Sequence, residues 1–264
     1  MCTLIALHSC VDRVGLIVAA NRDEYFDRPS EGPALRNLES GPIVAPLDVR
    51  AGGTWFGVNR NRVFVALTNR PTEAPDASRR SRGHVVTDAL AGQTAVGAAH
   101  ILNSIPAGLH NPFNAFVSDG ERAFTLVYDE KGQLAELEPG AHVVGNADPD
   151  DRSNAKIAHV LERAEAAAAL PMDRAFDALG QACCEHDCGG AHGTLSDPCV
   201  HLEAYGTRSS FLMTLDPQGR EADRLLYADG PPCETEHEDF TGLLSELTRS
   251  GSYGQDEFQA RTAT

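Results

Sequence analysis

Two β-rich runs at the start of the chain constrain its fold most. Residues 2–10 (CTLIALHSC) and 15–24 (GLIVAANRDE) are separated only by a short turn, a pattern that predicts a β-hairpin. If the strands pair directly outward from that turn, Cys2 lies opposite Asp23. A slip of one residue would turn every side chain to the other face of the sheet. The expected register therefore places a carboxylate beside the first residue after the initiator methionine.

Cys2 directly follows Met1, and two interpretations of this position are open. A residue as small as cysteine allows an aminopeptidase to remove Met1, which would leave a thiol and an α-amine on one residue. Their ordinary pKa values of about 8.5 and about 7.7 would let the amine accept the thiol proton, as in enzymes with an N-terminal nucleophile. Alternatively, Cys2 is a small buried hydrophobic residue at the start of a strand.

Composition excludes several classes of protein. The chain has 264 residues, 42% of them apolar, which is enough for a sizeable core. Its net charge is -16, and Lys131 and Lys156 are the only lysines among its 22 basic residues. Such a surface argues against nucleic-acid and anionic-membrane partners. The sequence has no apolar run of membrane-spanning length and no signal peptide, so we expect a cytoplasmic protein whose seven cysteines form no disulfide framework.

The remaining periodicity predicts an α+β fold. Strands, helices, strands, helices and strands follow one another, and two packed sheets with helices outside satisfy this order. We expect a single domain over residues 1–231 and an acidic, polar tail over 232–264, disordered beyond about Arg249. The expected elements are strands near 54–59 and 62–69, helices over 82–91 and 94–104, strands between 114 and 146, a helix over 151–169 capped by Asp151 or Ser153, a helix over 173–184, and the strands SSFLMTL and DRLLYAD.

Five separated motifs carry a family resemblance. They are MCTLIAL, NRDE at residues 21–24, GGTWFGVN, LTNRP and YGTRSS, in that order along the chain. Together they resemble the NRDE proteins, which are the transport and Golgi organisation family. That family is similar to the N-terminal nucleophile (Ntn) hydrolases of the choloylglycine hydrolase and penicillin V acylase group. The resemblance implies a four-layer αββα sandwich.

The resemblance also implies a set of catalytic residues. Cys2 corresponds to the nucleophile, Asp23 to the acid that orients the N-terminal amine, and Asn69 to a donor of the oxyanion hole. Asn146 resembles a second active-site asparagine, and Arg208 resembles an arginine near the thiolate. The sequence departs from the hydrolase pattern just before the N-x-D element, where Ala20 replaces the expected arginine.

Three further residues are candidates for substrate binding. Asn21 and Arg22 belong to the NRDE element, and strand alternation puts Arg22 on the side of Ala20 rather than that of Asp23. Trp55 in GGTWFGVN either contacts a ligand or packs behind the first hairpin. The preceding glycines, residues 52–53, indicate a close backbone approach or a turn that requires a positive φ.

The stretch at residues 183–201 is rich in cysteine and histidine. Cys184, Cys188, His192 and Cys199 are possible zinc ligands, and a cysteine or histidine could hold haem iron. Their spacing matches no standard zinc module, however. We therefore expect no metal and no cofactor, and interpret the stretch as a loop over the site.

Two functions from different classes are consistent with these motifs. The first is a cysteine amidohydrolase that cleaves a small acyl-amide through Cys2. The second is a non-catalytic binding or trafficking protein for haem or an acyl-lipid such as acyl-CoA, which the resemblance implies loosely. Both take a small-molecule partner, and neither predicts an oligomeric state. Met1 removal would distinguish them, because a retained methionine abolishes the self-base mechanism.

Overall fold

The computed structural model describes residues 2–186, 194–216 and 222–249, which form thirteen strands and five helices. The strands are β1 (Cys2–Val11), β2 (Val14–Tyr25), β3 (Ser30–Leu38), β4 (Gly41–Asp48), β5 (Phe56–Asn59), β6 (Phe64–Asn69), β7 (Phe113–Ser118), β8 (Ala123–Tyr128), β9 (Gly132–Leu137), β10 (Gly140–Val144), β11 (Tyr205–Leu215), β12 (Arg224–Ala228) and β13 (Glu238–Asp239). The helices are α1 (Gly83–Ala89), α2 (Ala95–Asn103), α3 (Ala155–Ala168), α4 (Met172–Cys183) and α5 (Thr241–Arg249).

Two antiparallel sheets stack face to face at the centre of the molecule. One has the strand order β10-β1-β2-β11-β12-β13, and the other the order β3-β4-β5-β6-β7-β8-β9. Apolar side chains such as Leu4, Phe56 and Phe211 fill the space between them, where the rings of Phe56 and Phe211 stack at 3.8 Å. This layer exists because each sheet has an apolar inner face that must be buried against another element.

Helices cover the outer face of each sheet. Helices α1 and α2 pack on the seven-stranded sheet, and α3 and α4 pack on the six-stranded sheet. The resulting order of layers is helix, sheet, sheet, helix, so the predicted αββα sandwich is confirmed. Among the described residues, no helix combines the length and apolar character that crossing a membrane requires.

The first hairpin forms, but its register differs from the expected one. Next to the turn Val11 pairs with Val14, as the turn predicts, whereas Cys2 pairs with Arg22 rather than Asp23. A β-bulge between His8 and Val11 causes this shift, because β1 has one more residue there than β2. The prediction that Cys2 lies opposite Asp23 is therefore wrong.

Other boundaries also depart from the sequence prediction. Strands β3 and β4 were not expected, because prolines such as Pro33 and Pro42 weaken a strand pattern. Helix α3 begins after Asn154, whose side chain accepts a hydrogen bond from the N–H of Ile157, so neither expected cap is the N-cap residue. Within the expected tail, residues 238–249 form β13 and α5. The division at residue 231 stays a prediction, and residues 250–264 lie outside the described residues.

Candidate functional site

A cavity of about 440 Å³ opens at the end of strands β1 and β2. Its volume lies within the range of small-molecule sites. Five of the eight residues predicted from the sequence line it. They are Cys2, Arg22, Asp23, Trp55 and Asn69.

Cys2 is the first residue of β1 and is almost entirely buried, with 9% of its surface exposed. Burial raises the pKa of its thiol, because a thiolate loses hydration there. The backbone N–H of Asp23 and the guanidinium of Arg22 act in the opposite direction and lower this pKa. The thiol is therefore held in a buried position with a positive charge and a hydrogen-bond donor close to it.

The Arg22 side chain is buried next to the ring of Trp55. Its guanidinium carbon lies 4.4 Å from the ring centroid of Trp55, in a cation–π contact, and its Nη2 lies 3.7 Å from Oε2 of Glu24. Because Cys2 pairs with Arg22 and Leu4 with Ala20, Arg22 shares a face of β2 with Ala20, as predicted. The Arg22 charge therefore lies on the same face of the sheet as the Cys2 thiol.

Asp23 points to the opposite face of the sheet, toward helix α3. Its Oδ1 accepts a hydrogen bond of 2.8 Å from the hydroxyl of Thr207, and its Oδ2 lies 4.0 Å from Nζ of Lys156. Complete burial raises the pKa of the Asp23 carboxyl, against the opposite effects of Lys156 and Thr207. Sequence reasoning did not identify Lys156 as part of the site, although a lone lysine in an arginine-dominated helix region was an available signal.

Two asparagines are joined by a hydrogen bond, but only one of them lines this cavity. Asn69 lines the 440 Å³ cavity, whereas Asn146 lines a neighbouring cavity of about 290 Å³. The side-chain amide of Asn146 donates a hydrogen bond of 2.5 Å to the backbone carbonyl of Asn69. In this arrangement Asn146 fixes the backbone that carries Asn69.

The remaining two predicted residues do not line the cavity. The Asn21 amide donates hydrogen bonds of 2.8 Å to the carbonyl of Cys183 and 2.9 Å to that of Pro198, so it ties β2 to helix α4. Arg208 lies in a bulge of β11, close enough to Tyr227 to act on its hydroxyl. Burial raises the pKa of Tyr227, and the charge of Arg208 acts in the opposite direction. The structure therefore does not bring Arg208 to the cavity wall that carries Cys2.

Several arginines from the segment before α1 were not predicted and do line the cavity. Arg79, Arg80 and Arg82 come from the run SRRSRG. Burial lowers the pKa of Arg82, while Cys2 and Glu24 act to raise it, which places this guanidinium within electrostatic range of the thiol. Six arginines and four carboxylates line the cavity, so its wall has a small excess of positive charge in a strongly acidic protein, a feature suited to an anionic group of a ligand.

Comparison with known proteins agrees with this architecture. The family model described as Transport and Golgi organisation 2 matches residues 1–223. The human Transport and Golgi organization protein 2 homolog is 30% identical over 232 residues, covering 77% of this chain and 83% of that protein; the mouse homolog is 28% identical with the same coverage. These matches confirm the family resemblance of the five motifs.

Three solved structures with the same fold have the names of enzymes. A mutant of the conjugated bile acid hydrolase from Clostridium perfringens has a TM-score of 0.59 and 12% identity, with 92% of this chain and 93% of that chain covered. Penicillin V acylase from Agrobacterium tumefaciens has a TM-score of 0.57 at 12% identity, covering 92% and 88%. The Caenorhabditis elegans ortholog of N-acylethanolamine-hydrolyzing acid amidase has a TM-score of 0.54 at 12% identity, covering 84% and 95%. At these identities the likeness establishes the fold alone.

Proposed function

This chain belongs to the Transport and Golgi organisation 2 family, and we propose that it is a cysteine amidohydrolase that cleaves a small acyl-amide through Cys2. The position of Cys2 is the observation that carries the proposal. Cys2 is the first residue of β1 and lines a cavity of small-molecule size together with Asp23 and Asn69. An N-terminal nucleophile requires this combination of a chain terminus, a cavity and polar groups around it.

The proposed reaction uses the two functional groups of Cys2 once Met1 has been removed. The α-amine takes the thiol proton, and the thiolate attacks the carbonyl carbon of the amide. The Asn69 amide donates a hydrogen bond to the resulting oxyanion, an interaction worth about 3–4 kcal/mol in comparable sites. The C–N bond then breaks, the α-ammonium gives its proton to the leaving amine, and an acyl thioester remains. Water hydrolyses the thioester, losing one proton to the α-amine and regenerating the thiol.

The surroundings of the cavity favour an amide with an anionic group. Arg22 and Arg82 lie near Cys2 and supply positive charge, and guanidinium groups bind carboxylates in a bidentate manner. The names of the structural neighbours, a conjugated bile acid hydrolase, an acid amidase and an acylase, support the same reaction class by analogy of fold. The six described cysteines are free thiols, which is compatible with the cytoplasmic location that we propose.

The burial of Cys2 favours a second candidate function. Because burial raises the pKa of this thiol, the cavity could hold its ligand without turnover. The absence of the hydrolase arginine at Ala20 points in the same direction. In this alternative the chain is a binding or trafficking protein for haem or an acyl-lipid such as acyl-CoA, and the cavity arginines hold the anionic part of that ligand.

One series of measurements separates the two functions. Intact-mass spectrometry of the purified chain should show a mass lacking Met1, and a panel of anionic and neutral acyl-amides should reveal turnover. Cys2→Ala should abolish that turnover, whereas Cys10→Ser, a change at a half-buried thiol on the same strand, should preserve it. Retained Met1, or ligand binding by Cys2→Ala as tight as by the unchanged chain with no amide ever cleaved, would reject the hydrolase and leave the binding protein.

A further inference from the structure

We propose that this protein holds a structural Zn²⁺ ion at a site separate from the cavity. Four side chains form what we call the four-ligand cluster. Its members are His186, Cys199, His201 and Cys233. None of them lines the 440 Å³ cavity, so this proposal does not rest on the proposed hydrolase activity.

Three distances within the four-ligand cluster are close to those of tetrahedral zinc. The Cys199 Sγ lies 3.5 Å from the Cys233 Sγ and 3.5 Å from Nε2 of His201, and this Nε2 lies 3.2 Å from the Cys233 Sγ. One ligand atom from each of the four residues lies within 4.8 Å of the others. With Zn–S of about 2.3 Å and Zn–N of about 2.0–2.1 Å, a tetrahedral site needs ligand atoms about 3.3–3.8 Å apart. Cys199, His201 and Cys233 therefore lie at nearly the spacing that zinc requires, and His186 lies within 4.8 Å of them, close enough for a small movement of its ring to complete the site.

The chemistry of the donors selects the metal. Two sulfurs and two imidazoles are the ligands of many structural zinc sites, whereas Mg²⁺ and Ca²⁺ prefer oxygen. Binding converts two thiols to thiolates and releases two protons, so the bound centre carries no net charge. All four positions come from the protein, which is typical of a structural rather than a catalytic zinc site.

A hydrogen bond between two of the four ligand residues supports the arrangement. Nδ1 of His186 lies 3.2 Å from the backbone carbonyl oxygen of Cys199. With Nε2 of His186 as the metal ligand, Nδ1 would make the bond by which zinc-binding imidazoles commonly orient their rings through the other nitrogen. A second backbone bond, from the N–H of Cys199 to the carbonyl of Glu185 at 3.1 Å, holds the two ligand-bearing segments side by side.

The sequence did not predict this set, because the fold assembles it from three segments. His186 follows helix α4, Cys199 and His201 precede β11, and Cys233 follows β12. Of the ligands considered from spacing, only Cys199 belongs to the cluster. The Cys184 thiol instead donates to the carbonyl of Gly180 at 3.4 Å, and Cys188 and His192 lie outside the described residues.

The four-ligand cluster is connected to the cavity through Val200, which lies between two ligands. The N–H of Val200 donates to the Thr207 hydroxyl at 2.9 Å, and the Val200 carbonyl accepts from the N–H of Thr207 at 2.9 Å. The same Thr207 hydroxyl donates to Asp23 at 2.8 Å. Zinc would therefore fix the segment that positions the Asp23 carboxylate.

Metal analysis of the full chain tests the proposal. Protein purified without chelators should contain about one zinc per chain by inductively coupled plasma mass spectrometry. Replacement of the zinc by Co²⁺ should give the visible d–d bands of tetrahedral cobalt and a sulfur-to-cobalt charge-transfer band. Cys233→Ser and His201→Asn should each lower the zinc content at least tenfold, because the three remaining ligands cannot replace the lost one.

Matched variants distinguish loss of a ligand from general damage. Cys10→Ser and Cys184→Ser change thiols outside the cluster and should retain full zinc and the same cobalt spectrum. Cys233 is exposed, so its replacement should leave the far-UV spectrum unchanged. Zinc content that is equal in all variants, octahedral cobalt bands, or a Cys199–Cys233 disulfide found by peptide mapping in freshly purified, metal-free protein would each overturn the proposal.

Discussion

Lys156 reaches Asp23 across the boundary between helix α3 and strand β2, with Nζ 4.0 Å from Oδ2. The lysine side chain is 11% exposed and that of the aspartate is not exposed at all. Two opposite charges are thus removed from water together, and among the groups that offset the burial of Asp23, Lys156 has the largest effect on its pKa. Since Asp23 also lines the cavity, this pair connects the stability of the helical layer with the candidate site.

We expect Lys156→Met to destabilise the fold strongly. Removal of one partner from a buried ion pair costs about 3–5 kcal/mol, and in this variant Asp23 loses the group that contributes most to offsetting its burial. Urea unfolding near neutral pH should show this loss in the free energy of unfolding. Lys131→Met, at the exposed second lysine of the chain, is the matched control and should change it by less than about 0.5 kcal/mol.

The pH dependence of this variant provides a second check. Lys156 lowers the pKa of Asp23, so its removal raises that pKa further. The folded state then binds the Asp23 proton more tightly, and the penalty must shrink as the pH falls through the raised pKa. A penalty that stays constant down to acid pH would contradict a charge-based explanation, as would a loss no larger than that of the control.

Layer order and most helices could be predicted because they depend on local patterns. The αββα order followed from the alternation of strands and helices and from five motifs, and α4 at Met172–Cys183 lies where the apolar periodicity placed it. The register of the first hairpin could not be predicted. Its bulge involves Ser9, with φ of 47°, whose hydroxyl donates at 3.0 Å to the carbonyl of Gly120 in the turn between β7 and β8 of the other sheet. A contact between residues so distant in sequence leaves no local signal.

The residues of the candidate site also divide into those that local motifs identify and those that depend on distant contacts. Cys2, Asp23 and Asn69 belong to short motifs and were identified from them, and the structure brings all three to one cavity. Arg82 and Lys156 were missed because their role depends on which helix ends approach the central strands. A bulge in β11 decides where Arg208 points, and such an extra residue cannot be read from the motif itself.

Gly53→Ala should destabilise the wall of the cavity. A Cβ at this position would lie 2.5 Å from the backbone carbonyl carbon of Gly83, at the start of α1, so one of the two backbones has to move. We expect a loss of about 1–3 kcal/mol in thermal or urea unfolding. Gly97→Ala in helix α2 has room for its methyl group and should instead stabilise by about 0.5–1 kcal/mol. Equal effects of the two changes would be inconsistent with the close approach.

His142→Gln should weaken the fold at acid pH only. Burial lowers the pKa of His142, but Asp150 Oδ2 at 2.7 Å from Nδ1 and the Glu138 carbonyl at 2.9 Å from Nε2 outweigh it, so the net pKa is raised. Both ring nitrogens face acceptors, which favours the doubly protonated ring. His8 on the neighbouring strand is affected in turn, since burial and the His142 charge lower its pKa.

The sign of the His142 effect follows from linkage. A histidine whose pKa is raised in the folded state contributes its full stabilisation below the ordinary pKa of 6.5. This stabilisation is lost as the pH rises through the pKa of the folded state. The difference in unfolding free energy between the unchanged chain and His142→Gln should therefore be large at about pH 5.5 and small at about pH 8.5. His100→Gln, at an exposed position of helix α2, should show no such dependence, and a difference that grows with pH would refute the assignment.

Arg22→Met tests whether the charge opposite Cys2 controls its thiol. Burial raises the pKa of Cys2, and Arg22 is one of the groups that lower it, so its removal should raise that pKa further. At about pH 8 the thiolate fraction of Cys2 should then be smaller, so alkylation of Cys2 by iodoacetamide should be slower than in the unchanged chain, as measured by peptide mass spectrometry. Methionine keeps an apolar stem against Trp55, which limits the loss of packing.

Arg22→Lys should restore much of the rate of alkylation, and Arg60→Met in the exposed turn after β5 should leave that rate unchanged. If Cys2 of Arg22→Met reacts as fast as Cys2 of the unchanged chain across the whole pH range, Arg22 does not take the role of the arginine that the hydrolase pattern has at the position of Ala20. Arg82 is then the next cation to test.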